Sequence, residues 1–366
     1  MKSFEEVFED KTKYGTKIKT NEYQQEGKYL IVDQGQEQVA GYTNLEEGDF
    51  EEVPAIVFGD HTRVIKYVEE PFFLGADGVK VLKCRLPNAN YKYLYYTLLN
   101  AKIPNTGYNR HFKWLKEIKI AYPNTEKQTE IVCILDKVSK IIEFRQRQLK
   151  KLDELVKSRF IEMFVTDKNV CNWSQVRISD VSTDMRTGPF GSALHHDEFV
   201  DSGVFVLGID NAVENRFSYN RMRYITEEKY NQLKRYTVYP GDLIITIMGT
   251  VGRSAVIPQD MPKAISTKHL ACITPDSAVV DPCFLSSAFQ MHPAIRLQLQ
   301  NQCKGAIMDG LNLTIIKELR FQLPPIDQQK QFSEFVEQTD KSKFVIQQAL
   351  DKAQLLFDSL MQKYFG

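Results

Sequence analysis

The sequence has no apolar run long enough to cross a bilayer, and no apolar core behind its start, MKSFEEVFEDK. A spanning helix and a secretory signal are therefore not expected, and a soluble chain that is not exported is. Cysteine is sparse. The six present, Cys84, Cys133, Cys171, Cys272, Cys283 and Cys303, are scattered without a CxxC pair. That spacing argues against a disulfide framework and predicts a reducing, cytoplasmic setting. An excess of charge of either sign is missing too, because 47 Lys and Arg balance 47 Asp and Glu. No global basic field announces a nucleic-acid partner, although local patches count for more than the sum.

Catalytic signatures are equally absent. A methyltransferase acting on adenine needs a carboxamide or carboxylate beside two prolines and an aromatic ring, and Leu323-Pro324-Pro325-Ile326 lacks both neighbours. No glycine-rich fingerprint follows a strand. Gly249-Thr-Val-Gly-Arg-Ser lacks the lysine and the length of a phosphate loop, so it reads as a β-turn. Histidines 61, 111, 195, 196, 269 and 292 show no HxxxH or other metal spacing, and there is no GxSxG elbow. Pairs such as Glu126-Lys127 are too common to nominate a nuclease centre. These absences predict a binder that needs other subunits for catalysis.

What is present is length, core material and repetition. The 366 residues allow two or three domains, and 43% hydrophobic content is enough to fill their cores. From Thr125 to Phe164 there is no Gly or Pro, and strong helix formers run throughout. Apolar residues at Ile131, Leu135, Val138, Ile142, Leu149, Leu152, Val156 and Met163 alternate steps of three and four, the seam of a coiled coil. A lone seam needs a partner. A shift of 201 positions supplies one, with Phe332, Val336, Thr339, Ile346, Leu350, Ala353, Phe357, Leu360 and Tyr364 in the same register. Identical residues recur at that step, among them Lys116 and Lys317, Pro123 and Pro324, Gln128 and Gln329, Leu149 and Leu350, Phe164 and Phe365. The chain is an internal duplication. Polar seam residues (Arg145, Arg159, Thr339, Lys343) read as register-setting or snorkelling side chains, with a partner-facing role as the alternative.

The remaining sequence divides accordingly into 1–124, a helix over 125–165, a second globular part over 166–325 and a second helix over 326–366. Strand-like runs at 29–32, 55–58, 63–67 and 79–82, a helix at 91–101 and a strand from Glu117 to Tyr122 describe the first half. Runs at 204–207, 242–248, 255–257 and 270–273, a helix over Pro282–Phe289 and a strand from Glu318 to Leu323 describe the second. The turn holding Gly59 and Arg63 is matched with the one holding Gly249 and Arg253. The fold class is α+β. Two β-rich domains alternate with two long helices, related by a pseudo-two-fold axis that makes the helices an antiparallel coiled coil. About 38 helical residues give a rod of roughly 55 Å with one domain at each end.

Each domain has loops carrying amide and basic side chains among small or aromatic ones. In the first, the candidates are His61 and Arg63 on one turn, Lys66 and Lys80 for phosphates, and Asn109, Arg110, His111 and Lys113 beside Asn105 and Tyr108. In the second they are Arg186, Thr187 and Ser192 in RTGPFGSAL, with Thr250, Arg253, Lys268, His269, Lys304 and Asn312. Arg and Asn read base edges bidentately, while Lys, Ser and Thr hold phosphates. His111 sits where Asn312 sits in the other copy. One scaffold with divergent tips suggests two different targets.

Four stretches resemble the DNA-specificity subunit of type I restriction-modification systems: 58–83 (FGDHTRVIKYVEEPFFLGADGVKVLK), 32–44 (VDQGQ…AGYTN), 240–257 (PGDLIITIMGTVGRSAVI) and 323–332 (LPPIDQQKQF). The likeness spans nearly the whole chain, including the repeat. It implies two target-recognition domains, each reading one half of a bipartite site in double-stranded DNA, and helices that set the unread gap and dock two methyltransferase (modification) subunits. It also implies that S-adenosylmethionine, ATP and Mg belong to those partners and to an ATP-dependent restriction translocase, with no membrane association. The first copy departs from the second in opening at Met1 without a stretch like Asn172–Val176, so its edge is expected to be trimmed. The competing reading is a coiled-coil scaffold whose two β-rich heads bind proteins.

Overall fold

A computed structural model describes residues 1–75, 77–166, 172–190, 193–302 and 311–366. Its contacts divide the chain into two compact units, Met1–Arg147 with Gln347–Gly366, and Gln148–Ile346.

The first unit opens with β1 (Lys2–Ser3), α1 (Phe4–Val7), β2 (Phe8–Asp10), β3 (Tyr29–Val32), β4 (Gly41–Thr43) and β5 (Ala55–Gly59). It continues with β6 (Ile65–Val68), β7 (Phe72–Leu74), β8 (Val79–Cys84), α2 (Tyr91–Leu99), α3 (Phe112–Leu115), β9 (Lys119–Ile120) and the start of α4 (Thr125–Phe164). A four-stranded antiparallel sheet runs in the order β2-β8-β5-β6, and a smaller sheet runs β4-β3-β7 with β3 parallel to β7. The larger sheet is covered on both faces, which is why β5 reads as an unbroken apolar run. Ile56, Phe58 and Leu82 point to the helices, and Ala55, Val57 and Val81 to the small sheet.

The second unit repeats this plan with β10 (Gln175–Arg177), β11 (Ser182–Thr187), β12 (Val204–Leu207), β13 (Tyr224–Ile225), α5 (Glu227–Leu233), β14 (Thr237–Val238) and β15 (Leu243–Thr246). Then follow β16 (Ser254–Val256), β17 (Ala264–Ser266), β18 (Leu270–Pro275), α6 (Pro282–Met291), α7 (Pro293–Gln302), α8 (Leu313–Glu318), β19 (Arg320–Gln322) and α9 (Ile326–Phe365). Its sheets run β11-β18-β15-β16 and β13-β12-β17-β14, with β12 parallel to β17. Strand for strand this is the first unit's order, plus β14. The alternation repeats as well. Leu243, Ile245 and Ile273 face the helices, while Ile244, Leu270 and Cys272 face the small sheet.

The long helices are each 40 residues. Asn124 caps α4, its Oδ1 accepting from the Lys127 amide at 3.0 Å. Within each unit the beginning of one helix packs with the end of the other, so the pairing is antiparallel. In the first unit Ile131, Val132 and Leu135 of α4 share a core with Phe357 and Met361 of α9. In the second, Phe160 and Phe164 of α4 stack edge-on against Phe332 of α9, with ring centroids at 5.5 and 5.4 Å. The seam is buried where it meets a domain. From Ile142 to Leu152 its residues are only half-buried. Of the polar seam residues, Thr339 is buried with its hydroxyl on the Phe335 carbonyl at 2.8 Å, and Lys343 pairs with Asp153 at 2.6 Å.

Several expected boundaries shift. The strand expected over 117–122 is only β9, because α3 and its C-terminal turn use the preceding residues. The strand expected from Glu318 starts at Arg320, since Glu318 closes α8. The helix α7 lies outside the repeat: equivalent positions before it are separated by 191 residues (Asn90 and Asp281) and after it by 201 (His111 and Asn312), and α7 itself is 10 residues long. Its proline start at Pro293 is the signal that could have marked it.

Candidate nucleic-acid interface

In the first unit one side chain gathers the tip. Gln34, in the β3–β4 loop, accepts from the His61 amide through Oε1 (3.2 Å) and donates from Nε2 to the Asp77 carbonyl (3.1 Å), while its own carbonyl accepts from the Thr62 hydroxyl (2.6 Å). Gly78 lies so close that a Cβ there would come within 2.6 Å of Gln34 Oε1, and its φ of +93° suits glycine. Asp60 then ties in the 100–111 loop. Its carbonyl accepts from the His111 amide (2.8 Å), and its Oδ1 accepts from the Phe112 amide (2.7 Å), capping α3 from outside. The Arg63 guanidinium donates to the Ile103 carbonyl at 3.3 Å. Over this frame the Tyr108 ring, 86% exposed, stacks on His61 at 4.7 Å with a 9° tilt.

The tip therefore assembles His61, Arg63, Asn109, Arg110 and Tyr108. Arg110 is exposed, and Asn109 donates to the Thr106 carbonyl at 2.5 Å. Asp77 sits among the cations. The Lys17 hydrogen bond chiefly, and then the Arg110 and His61 charges, hold its carboxyl below the usual range. Three sequence-derived candidates are placed otherwise. His111 is fully buried, with Nδ1 at 3.0 Å from the Asp60 carbonyl and Nε2 at 3.5 Å from Thr106, so it braces the loop rather than facing outward. Lys66 is buried against Asp33 at 3.3 Å, and burial pushes its pKa down. Lys80 pairs with Asp10 at 2.9 Å and lies over the Phe112 ring. Lys113 is exposed along the face of Trp114.

In the second unit the equivalent turn joins β15 to β16. Hydrogen bonds fix the correspondence. Gly59 N donates to Val64 O and Arg63 N to Gly59 O in the first copy, and Thr246 N donates to Arg253 O and Gly252 N to Thr246 O in the second. Arg63 thus matches Gly252, not Arg253, and Val64 matches Arg253. The reason is backbone shape. Both matched residues occupy the left-handed region, Arg63 at φ +64° and Gly252 at φ +81°. The second turn is longer, and Thr246 staples it by accepting the Arg253 amide (2.9 Å) and donating to the Thr250 carbonyl.

Thr250 and Arg253 are exposed there, beside exposed Met248 and Val251. The Lys268-His269 loop joins them through the Ile247 amide, which donates to the His269 carbonyl at 2.9 Å. Burial first, then the charges of Lys268 and Arg223, lower the His269 pKa, so the ring is neutral near pH 7. Arg223, which the sequence did not single out, is held by Asp210 at 2.5 Å. Arg186 is placed elsewhere. It spans β11 and the sheet interior, bound to Asp242 (2.5 Å), Asp184 (2.6 Å) and the Thr237 carbonyl. Thr187 is half-buried in β11 opposite Ala271. Asn312 caps α8 through the Ile315 amide at 2.9 Å. Ser192 and Lys304 lie outside the described residues.

Among the described residues no group of His, Cys, Asp and Glu is arranged to hold a metal, and no helix is long and apolar enough to cross a membrane. The chain is 25% identical over 198 residues to the type I restriction enzyme EcoBI specificity subunit of Escherichia coli, covering 53% of this chain and 41% of that one. It is 22% identical over 274 residues to the type I restriction enzyme MjaVIII specificity subunit of Methanocaldococcus jannaschii, covering 68% and 63%. It spans less than two thirds of the length of either relative. Its fold is similar to the crystal structure of a type I restriction-modification S subunit from M. genitalium, with a TM-score of 0.64 at 16% identity, over 100% of this chain and 95% of that one. The profile of the type I restriction modification DNA specificity domain matches residues 1–154 and again 172–354, one match for each copy of the repeated scaffold, and the chain belongs to that family.

Proposed function

We propose that this chain is the sequence-reading subunit of a type I restriction-modification assembly. The globular parts, 1–124 and 166–325, each present one tip to half of a split site in double-stranded DNA, and the helices over 125–165 and 326–366 set the unread gap. One observation carries this reading: two copies of one hydrogen-bonded frame hold turns of different length and different side chains. Arg110, Asn109 and His61 stand on one, and Arg253, Thr250 and Lys268 on the other. Tips of that kind read different base edges, while the shared frame keeps their geometry alike.

The chain performs no chemistry in this reading. Methyltransferase subunits supply S-adenosylmethionine and flip the adenine, and a restriction translocase supplies ATP and Mg. The long helices offer a repeated docking face. Phe144 and Leu356 are exposed in the first unit, and Val345 and Leu155, their partners at the 201-residue step, are exposed in the second. Exposed apolar residues at repeated positions in both units suit two copies of one subunit. A cytoplasmic location follows from that partnership.

The deciding experiment exchanges residues 1–124 for those of another family member and maps methylation across the host genome. One half-site should change while the other and the gap persist. A change in both halves, or in neither, would refute the two-reader arrangement. A protein-binding scaffold, the rival reading, would leave methylation untouched.

A further inference from the structure

Beside the second tip a cleft of about 460 Å³ opens, lined by Lys157 of α4, Arg253 of the β15–β16 turn and Arg296 of α7. No carboxylate lines it, and none of the three cations takes part in an ion pair among the described residues. Its wall is built rather than loose. Gln290 Nε2 donates to the Asn215 carbonyl (3.3 Å) and to Ser254 O and Oγ (3.1 and 2.9 Å), and Asn215 Oδ1 accepts from the Ser254 amide (3.3 Å). At Gly252 a Cβ would lie 4.0 Å from Arg296 Nη1, so that guanidinium rests against the turn's backbone.

Three unpaired cations from three separate elements line one cavity, where an anion would meet all three. Two of them are guanidinium forks, which suit the paired oxygens of a phosphate. The first half does not repeat these three cations. The residue equivalent to Lys157 there is Asp358, Val64 stands at the Arg253 position, and α7 has no counterpart. We propose that the cleft seats one backbone phosphate of the bound duplex, a sequence-blind anchor that only the second half possesses. This rests on the DNA-reading function above and adds an asymmetry to it: the second half-site is gripped partly through its backbone.

The test measures affinity of the full chain for a duplex carrying its methylated site, as a function of salt, for wild type, Lys157→Ala, Arg296→Ala and Arg296→Lys. Losing one phosphate contact flattens the slope of log K against log salt by about 0.9. Both alanine variants should show that change with half-site preference intact, and Arg296→Lys should retain most of the slope. Wild-type slopes in both alanine variants would overturn the anchor. A wild-type chain with no preference for its site would instead overturn the function it rests on. A parallel titration uses inorganic phosphate and ATP. Loss of phosphate or ATP binding in the variants, with the DNA slope unchanged, would assign the cleft to a free phosphate compound and sink the duplex anchor.

Discussion

Gln329 Oε1 accepts a hydrogen bond from the backbone amide of Asp281 at 2.8 Å. The same carboxamide donates to the carbonyls of Pro324 (2.8 Å) and Val279 (3.2 Å), so it clamps the start of α9 to the cap of α6. Gln128 repeats the device in the other copy, on Asn90 (3.3 Å) and Pro123 (2.9 Å). Asn90 and Asp281 are themselves the N-caps of α2 and α6. A buried glutamine thus holds each long helix to its domain's helix, and an identity that first appeared as a repeat in the sequence has a mechanical cause.

Removing that clamp should be costly. Gln329 is fully buried, and Gln329→Ala leaves buried amide and carbonyl groups unpaired, at about 1–3 kcal/mol for each. Gln128→Ala should cost less, because its bond to Asn90 is longer. Urea unfolding midpoints of the two variants test the ranking, and a Gln329→Ala chain as stable as wild type would show the clamp to be idle.

Lys66 makes an opposite case. Its amine is buried beside Asp33, which is 28% exposed. Lys66→Met should be close to neutral for stability, since packing replaces a desolvated charge, whereas Asp33→Ala strands that charge and should destabilise by about 2 kcal/mol. Being inside, Lys66 should also be silent in DNA binding. A flatter salt dependence in Lys66→Met would return it to the interface.

His292 is 5% exposed at the end of α6, with Nδ1 accepting the Ala294 amide at 3.2 Å. Burial lowers its pKa below the ordinary 6.5. The folded state therefore binds fewer protons than the unfolded one, so this contribution is whole above about pH 6.5 and is lost as pH falls through that value toward the lowered one. His292→Gln should flatten the decline in stability on acidification. Chemical denaturation at pH 7.5 and 5.5 measures it, and equal pH dependence in both proteins would exclude His292 as a cause.

The exposed leucines of the long helices give a prediction about assembly. Leu155→Glu and Leu356→Glu should each keep the unfolding midpoint, because both side chains already face solvent. Under the proposed docking of two methyltransferase subunits, each should remove one of them, and the double variant both. Native mass spectrometry counts them. Full stoichiometry in the double variant would move the docking face elsewhere.

Much of this was legible in the residues. The seam from Ile131 to Met163, its echo from Phe332 to Tyr364 and the absence of Gly and Pro between Thr125 and Phe164 made the two helices visible, because helical periodicity is a local property. The apolar runs at 55–58 and within 242–248 marked buried strands for the same reason. What failed were inferences needing partners in space. Aligning Arg63 with Arg253 matched letters, whereas the backbone matches Arg63 with Gly252, since a left-handed conformation is invisible in sequence. His111, Lys66 and Arg186 looked like surface basic side chains until Asp60, Asp33 and Asp242 were found beside them.

The sequence by itself determined that a unit is duplicated and that each copy ends in a helix built to pair. Composition, periodicity and repetition carry those properties, and each depends only on neighbours in the chain. Tertiary structure alone decided which polar groups remain free to meet another molecule. A cation's availability is set by whether a distant carboxylate or carbonyl has folded against it. That is why Lys66 is withdrawn while Lys157, Arg253 and Arg296, far apart in sequence, come to share one cleft.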